Sequence, residues 1–317
     1  MYRRKIQLVA GTTYSLSLPK EWVKKNHLKE KQDVLIYEEE DNSLHIRKDI
    51  LQIQKREKIT LCVDEYPTTI GRILFELYYL GFETIELFSK NAITKDEKYQ
   101  IRRSLTYMSG TEILYEDEKK IHIRILLDKS KVNVIQSLYR ITLLIDQSLE
   151  NMMSHLDISE IRLNESEIDR LYHLIKKLLL LSLSDTALLQ TSEIKHVHVI
   201  PHYVLIAKKL ENIADSLFIL AEYMHKKKIK TFQKRDELFA FIKQELHRSL
   251  KHILGDYPAV FIRCDQKHIE KETDYFNNLK DEKIIECLSY TIRFLIDIQE
   301  ELITVSFYKK LLKEKIV

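Results

Sequence analysis

Apolar and polar positions alternate through residues 5–19, as KIQLVAG and then TYSLSLP, the period of a half-buried strand. Pro19 opens KEWVKKN as a short helix, since proline is tolerated in the first helical turn. DVLIYEE and SLHIRK read as two further strands, with Asp41 and Asn42 as the hairpin turn between them. Elements this short make a very small core, and such domains often need a partner chain to close it. From about residue 57 the period changes from element to element. KITLCVD is a strand, PTTIGRILFELYYLGF a helix, ETIELFS a strand and TKDEKYQIRRSLTYM a helix, before TEILYED and KKIHIRILL form a hairpin. This α/β unit ends near Leu127. Beyond residue 129 every periodic segment is helical, with helices predicted near 131–155, 160–184, 199–228, 235–254, 259–279 and 282–312. Few turn signals and long helices point to an antiparallel bundle. The expected division is 1–50, 56–128 and 129–317, a multidomain and mainly α protein.

Composition supports this. Five Gly and four Pro in 317 residues fall far below the usual shares of about 7% and about 5%. The net charge of +3 is nearly neutral, so a nucleic-acid interface has to be a local patch. Cys62, Cys264 and Cys287 are widely spaced and fit no zinc motif, which reads as reduced core thiols. MYRRKIQLVAGTT lacks the apolar core of a signal peptide, and LLLLSL at 178–183 is too short to span a bilayer. The expectation is a cytoplasmic protein, not integral to a membrane. So few glycines leave no room for a P-loop, and no Ser/His/Asp or Cys/His arrangement stands out, so no enzyme is expected.

The segment KKLENIADSLFILAEYM, 208–224, carries the chemistry. Glu211 and Asp215 stand one helical turn apart, a like-charge spacing that costs about 0.2–0.5 kcal/mol. They flank a buried stripe of Ala207, Leu210, Ala214, Leu217 and Ala221. Glu165 and Asp169 take the same offset beside Ile168, Leu171, Ile175 and Leu179 in the second bundle helix. Facing each other, the two E-x-x-x-D pairs supply hard oxygen ligands suited to iron, manganese, magnesium or calcium. The competing reading is a solvated acidic ridge balanced by Lys208 and Lys176.

An internal repeat doubles the pattern. ESEIDRLY (165–172) returns as EKETDYFN (270–277), and LENIADSLFILAE (210–222) more weakly as IRFLIDIQEELIT (292–304). The bundle thus reads as two three-helix units. The second copy keeps Glu270, Asp274 and Asp297 but has Arg293 where the first has Glu211, so its site is expected to be degenerate, with Arg293 pairing to Asp297.

LENIAD resembles the E-x-I-A-D pattern of the PhoU family, regulators of phosphate uptake, and ESEIDRLYHLI resembles that family's second helix. GTTYSLSLPKEWVKK resembles the AbrB/SpoVT swapped-hairpin DNA-binding domain, in the form seen in archaeal proteins that fuse it to PhoU. It departs from that family at Asn26-His27-Leu28 and Gln32-Asp33, where L-G-I and G-D are usual; Asn26 is expected to supply the left-handed helix end. The resemblance implies a small swapped-hairpin β domain that dimerises and binds DNA, an α/β connector, and a PhoU-like metal-binding bundle. A divalent or trivalent ion (iron, manganese, magnesium or zinc) is the implied cofactor. Candidate phosphate contacts on DNA are Arg3, Arg4 and Lys5 on the first strand with Lys20, Lys24 and Lys25 on or beside the helix. Leu18 and Trp22 are expected in the core.

The leading expectation is a regulator of phosphate homeostasis. A second reading is an adaptor that docks on a phosphate transporter or sensor kinase, with vestigial DNA binding. A third is a di-iron carboxylate enzyme using E-x-x-H at Glu222–His225 or Glu193–His196, disfavoured for want of a partner Glu. His196, His198 and His202 read as an exposed polar loop, a metal cluster being the alternative.

Overall fold

The structure, a computed structural model, describes residues 2–38, 43–47, 57–192, 194, 196–255, 259–263 and 279–314. It forms two compact units, Met1–Lys55 and Arg56–Ile316.

In the first unit, β1 (Gln7–Val9) pairs antiparallel with β2 (Thr13–Ser15) in the register Val9 to Thr13. Ala10 and Gly11 both hold positive φ (52° and 73°) in the turn between them, the conformation a tight hairpin demands. These strands are shorter than the alternation suggests, so Arg3, Arg4 and Lys5 precede the first strand and do not lie on it. Helix α1 (Lys20–Lys25) has Pro19 as its extended N-cap, one position earlier than a first-turn proline. Asn26 does not take the left-handed conformation expected of it. It stays at φ −90° and donates its Nδ2 to Trp22 O at 2.8 Å, while His27 (φ 51°) turns left-handed. Strands β3 (Leu35–Glu38) and β4 (Leu44–Arg47) pair antiparallel; the turn expected at Asp41 and Asn42 lies outside the described residues. No described residue of this unit is buried, and Leu18 and Trp22 are only half-buried, not core. A chain with so few elements has too little apolar surface to enclose them alone.

The second unit opens with strand β5 (Lys58–Cys62), helix α2 (Ile70–Tyr79), strand β6 (Thr84–Phe88), helix α3 (Lys95–Thr106) and the hairpin β7 (Thr111–Glu116) and β8 (Lys120–Ile125). The sheet order is β5-β6-β8-β7, with β5 and β6 parallel and the rest antiparallel. Ile85, Leu87, Ile121 and Ile123 bury one face of it in a core with Ile70, Leu74 and Tyr78 of α2 and Ile101 of α3. A capping box between Thr94 and Glu97 starts α3.

The helices that follow are α4 (Val134–Ser154), α5 (Ile158–Ser182), short α6 (Thr186–Thr191), α7 (Ile200–Lys227), α8 (Arg235–Leu254) and α9 (Glu282–Lys313). Helix α7 packs on α5 and on α9, while α8 packs on α4 and α9. The stripes read from the sequence are where they were placed: Ile168, Leu171, Ile175, Leu179, Ala207, Leu210, Ala214, Leu217 and Ala221 are all buried. The sequence reading did not foresee α6.

The helix predicted over 259–279 does not begin where expected. Residues 259–263 are non-helical, and 264–278 lie outside the described residues, Glu270, Asp274 and Cys264 among them. Side chains from α8 and α9 strap the segment down instead. Phe261 N donates to Ser306 Oγ at 2.8 Å, Arg248 Nη1 donates to Ile262 O at 2.5 Å, and the Arg248 guanidinium lies 4.6 Å from the Phe261 ring centroid.

Candidate metal centre

Asp157 caps α5 by accepting from Ser159 N and Glu160 N, and from there the helix sets Glu165 and Asp169 one turn apart. Helix α7 brings Asp215 across to them. One carboxylate oxygen from each of Glu165, Asp169 and Asp215 lies within 4.8 Å of the other two, and all three residues are half-buried. Burial pushes the Asp169 pKa up to about 7, helped by the negative charge of Glu165, Asp215 and Glu211. Glu165 and Asp215 are raised too, again chiefly by burial. Ser166 Oγ donates to Glu165 at 3.2 Å, whereas Asp169 and Asp215 have no hydrogen-bond or ion-pair partner among the described residues. Crowded, half-buried carboxylates without partners favour either protonation or a cation. This donor set fits a hard metal ion, and Glu165, Asp169 and Asp215 are the residues that would hold it.

Glu211, the fourth acid of the sequence pattern, stands apart from this trio. Its carboxylate takes Lys208 Nζ on both oxygens, at 2.6 and 2.5 Å. Further along α7, Glu222 accepts from Arg162 Nη2 at 2.8 Å and His225 is exposed, and among the described residues neither belongs to a candidate metal group. In the second repeat Asp297 accepts from Lys209 Nζ at 2.5 Å, not from Arg293 as expected. Lys209 reaches Asp297 from the neighbouring helix, and the tertiary pair prevails over the one-turn spacing.

The histidine cluster disperses. His202 Nδ1 is bonded to Glu301 Oε2 at 2.5 Å, His196 is buried, and the rings of His196 and His198 pack on Tyr308. His202 is half-buried and His198 exposed, so the expected exposure holds for His198 alone, and among the described residues none of the three is part of a metal group.

One neighbour of the centre escaped the sequence reading. His173 lies one turn beyond Asp169 on α5 and stacks on Phe75 of α2, with ring centroids 4.1 Å apart. Burial pushes its pKa down to about 4, with Lys176 and Lys208 adding repulsion, so the ring is neutral, and its Nδ1 is hydrogen-bonded to the Tyr79 hydroxyl. Arg170 of the same helix donates its Nη1 to Ser109 Oγ at 2.8 Å. The helix that carries two of the candidate ligands is therefore clamped to the α/β layer. The only sequence signal was the i, i+4 spacing from Asp169, which says nothing of α2.

In the first unit, Arg3, Arg4, Lys5, Lys20, Lys24 and Lys25 are all exposed. The Tyr2 hydroxyl donates to Glu21 Oε2 at 2.6 Å and ties the segment bearing Arg3 and Arg4 to the helix bearing the three lysines.

Residues 144–224 match the family model of the PhoU domain. Residues 7–55 match that of antidote-toxin recognition MazE, bacterial antitoxin. The chain joins a MazE/AbrB-like domain to a PhoU domain. The PhoU match takes in Glu165, Asp169, Glu211 and Asp215, and thus the whole candidate centre. The MazE match begins at the first strand and includes Lys20, Lys24 and Lys25, with Arg3, Arg4 and Lys5 just before it. No curated protein and no solved structure matched the chain. Among the described residues no helix is long and apolar enough to cross a membrane.

Proposed function

We propose that this chain is a regulator of phosphate homeostasis that binds DNA through its MazE/AbrB-like domain and a divalent or trivalent metal ion through its PhoU domain. The observation that carries the proposal is the union of the two matched domains in one chain, with the unpaired carboxylates inside the PhoU match. Arg3, Arg4, Lys5, Lys20, Lys24 and Lys25 hold backbone phosphates, which makes binding steeply salt-dependent. Glu165, Asp169 and Asp215 would hold the metal, which when bound would supply positive charge that relieves their mutual repulsion. Iron, manganese or magnesium suits an all-oxygen donor set better than zinc does. Because α5 is clamped to α2, a change at the centre has a mechanical route into the α/β layer. The proposal assigns no catalytic step to the chain. A homodimer is part of it, because the first unit leaves apolar side chains uncovered.

Metal content by mass spectrometry tests the reading, on wild type beside Asp169→Asn/Asp215→Asn, together with duplex DNA binding at two salt concentrations. Wild type is expected to carry metal that the variant loses while staying folded, and to bind DNA more weakly at higher salt. A metal-free wild type after loading with iron or manganese would remove the metal half of the proposal. Metal retention without DNA binding would leave an adaptor for a transporter or sensor kinase.

A further inference from the structure

The carboxylates of Glu211 and Glu222 continue the row of Asp215 on α7, yet each is held by a cation seated on an aromatic ring. Lys208 Nζ bonds both oxygens of Glu211 and lies 5.1 Å from the ring centroid of Tyr172. Arg162 bonds Glu222 and lies 5.4 Å from the ring centroid of Phe218. The pattern is reciprocal: Lys208 reaches from α7 to a ring on α5, and Arg162 reaches from α5 to a ring on α7. A cation over a ring face is attracted by the ring's quadrupole, so each is held in place by more than its acid. Glu211 has the means to join the cluster. It is buried, and it is close enough to Asp215 and Glu165 for their charges to act on it. The field of Lys208 also reaches Asp169 and Asp215.

We propose that Lys208 is a tethered counter-ion that holds Glu211 out of the cluster, while Arg162 holds Glu222 out at the other end, so that an incoming divalent cation meets Glu165, Asp169 and Asp215 alone. This rests on the metal reading above. Lys208 then sets the affinity of the centre: it repels the incoming ion and withholds a fourth ligand.

The test is a Mn2+ titration of the chelator-stripped full-length protein, with free Mn2+ read by electron paramagnetic resonance. Wild type is expected to bind Mn2+ more tightly than Asp169→Asn/Asp215→Asn. Lys208→Met is expected to bind about tenfold more tightly, with Lys208→Gln as the substitute if that variant fails to fold. Lys208→Arg should match wild type, and Lys208→Met/Glu211→Gln should lose the gain because the released carboxylate is gone. A folded Lys208→Met with wild-type affinity overturns the proposal and leaves the metal reading intact. The same tight binding in the double variant overturns the withheld-ligand mechanism. If neither wild type nor Lys208→Met binds more Mn2+ than Asp169→Asn/Asp215→Asn, the metal reading fails, and the proposal with it.

Discussion

Lys177 is fully buried, its Nζ has no hydrogen-bond partner, and it lies 3.7 Å from the ring centroid of Tyr78. Burial pushes its pKa down to about 7, and Lys129 adds repulsion that Glu83 only partly offsets. In the unfolded chain a lysine titrates near about 10.4. Between those values the unfolded state binds the extra proton, so stability rises with pH across that window. The desolvation penalty is whole below about pH 7 and gone above the unfolded pKa. Lys177→Met should therefore stabilise the protein by about 1–4 kcal/mol, most at pH 6 and least near pH 10. Urea unfolding at the two pH values checks this; a gain independent of pH would mean the ammonium is not what costs stability. Asp169 runs the other way. With its folded pKa raised to about 7, it binds its proton more tightly in the fold, so the metal-free protein loses stability as pH rises from about 4 to about 7. One charge is costly when protonated and the other when ionised.

At the scale of elements, the hairpin of the α/β layer depends on one backbone position. Gly110 holds φ 74° just before β7, where an added Cβ would fall 2.9 Å from Leu127 Cβ and 3.0 Å from Leu127 N. Leu126 N donates to Gly110 O at 2.7 Å, so the two chain segments cannot part without breaking that bond. Gly110→Ala combines a disfavoured φ with a backbone clash and is expected to cost about 1–3 kcal/mol. A thermal melt reads it, and an unchanged midpoint would show that the turn relaxes freely. The edge strand β7 carries a bulge between Ile113 and Tyr115, leaving Leu114 exposed. A bulge twists an edge out of register for pairing with another sheet.

At the scale of the molecule, the two units differ in how far they are closed. The second has continuous cores, whereas the first exposes Ile6, Leu8, Val9, Tyr14, Ile36 and Leu44, each more than half accessible. Apolar strand residues left open in so small a unit call for a covering surface, and a second copy of the same unit offers identical strands. Light scattering of the full chain should give twice the 37.9 kDa protomer mass. Leu8→Asp/Ile36→Asp should return a single protomer with its bundle still helical by circular dichroism. A monomeric wild type would mean that another partner covers these strands.

Residue spacing alone determined the class of every long helix described and the stripes that α5 and α7 bury, because both follow from a 3.6-residue period. It likewise set Glu165 with Asp169 and Glu211 with Asp215 on the margins of two such stripes. Strand length, the left-handed position at His27 and the straps over 259–263 were not legible, since they depend on contacts outside the local pattern. The state of each acid was decided by tertiary structure. Arg162 finds Glu222 and Lys209 finds Asp297 across helices remote in sequence, Lys208 is steadied over a ring of α5, and Asp169 and Asp215 are left with none. Long charged side chains search several ångströms for a partner, so which acid remains open for a metal is fixed by helix packing, while which acids are candidates is written in the period of the chain.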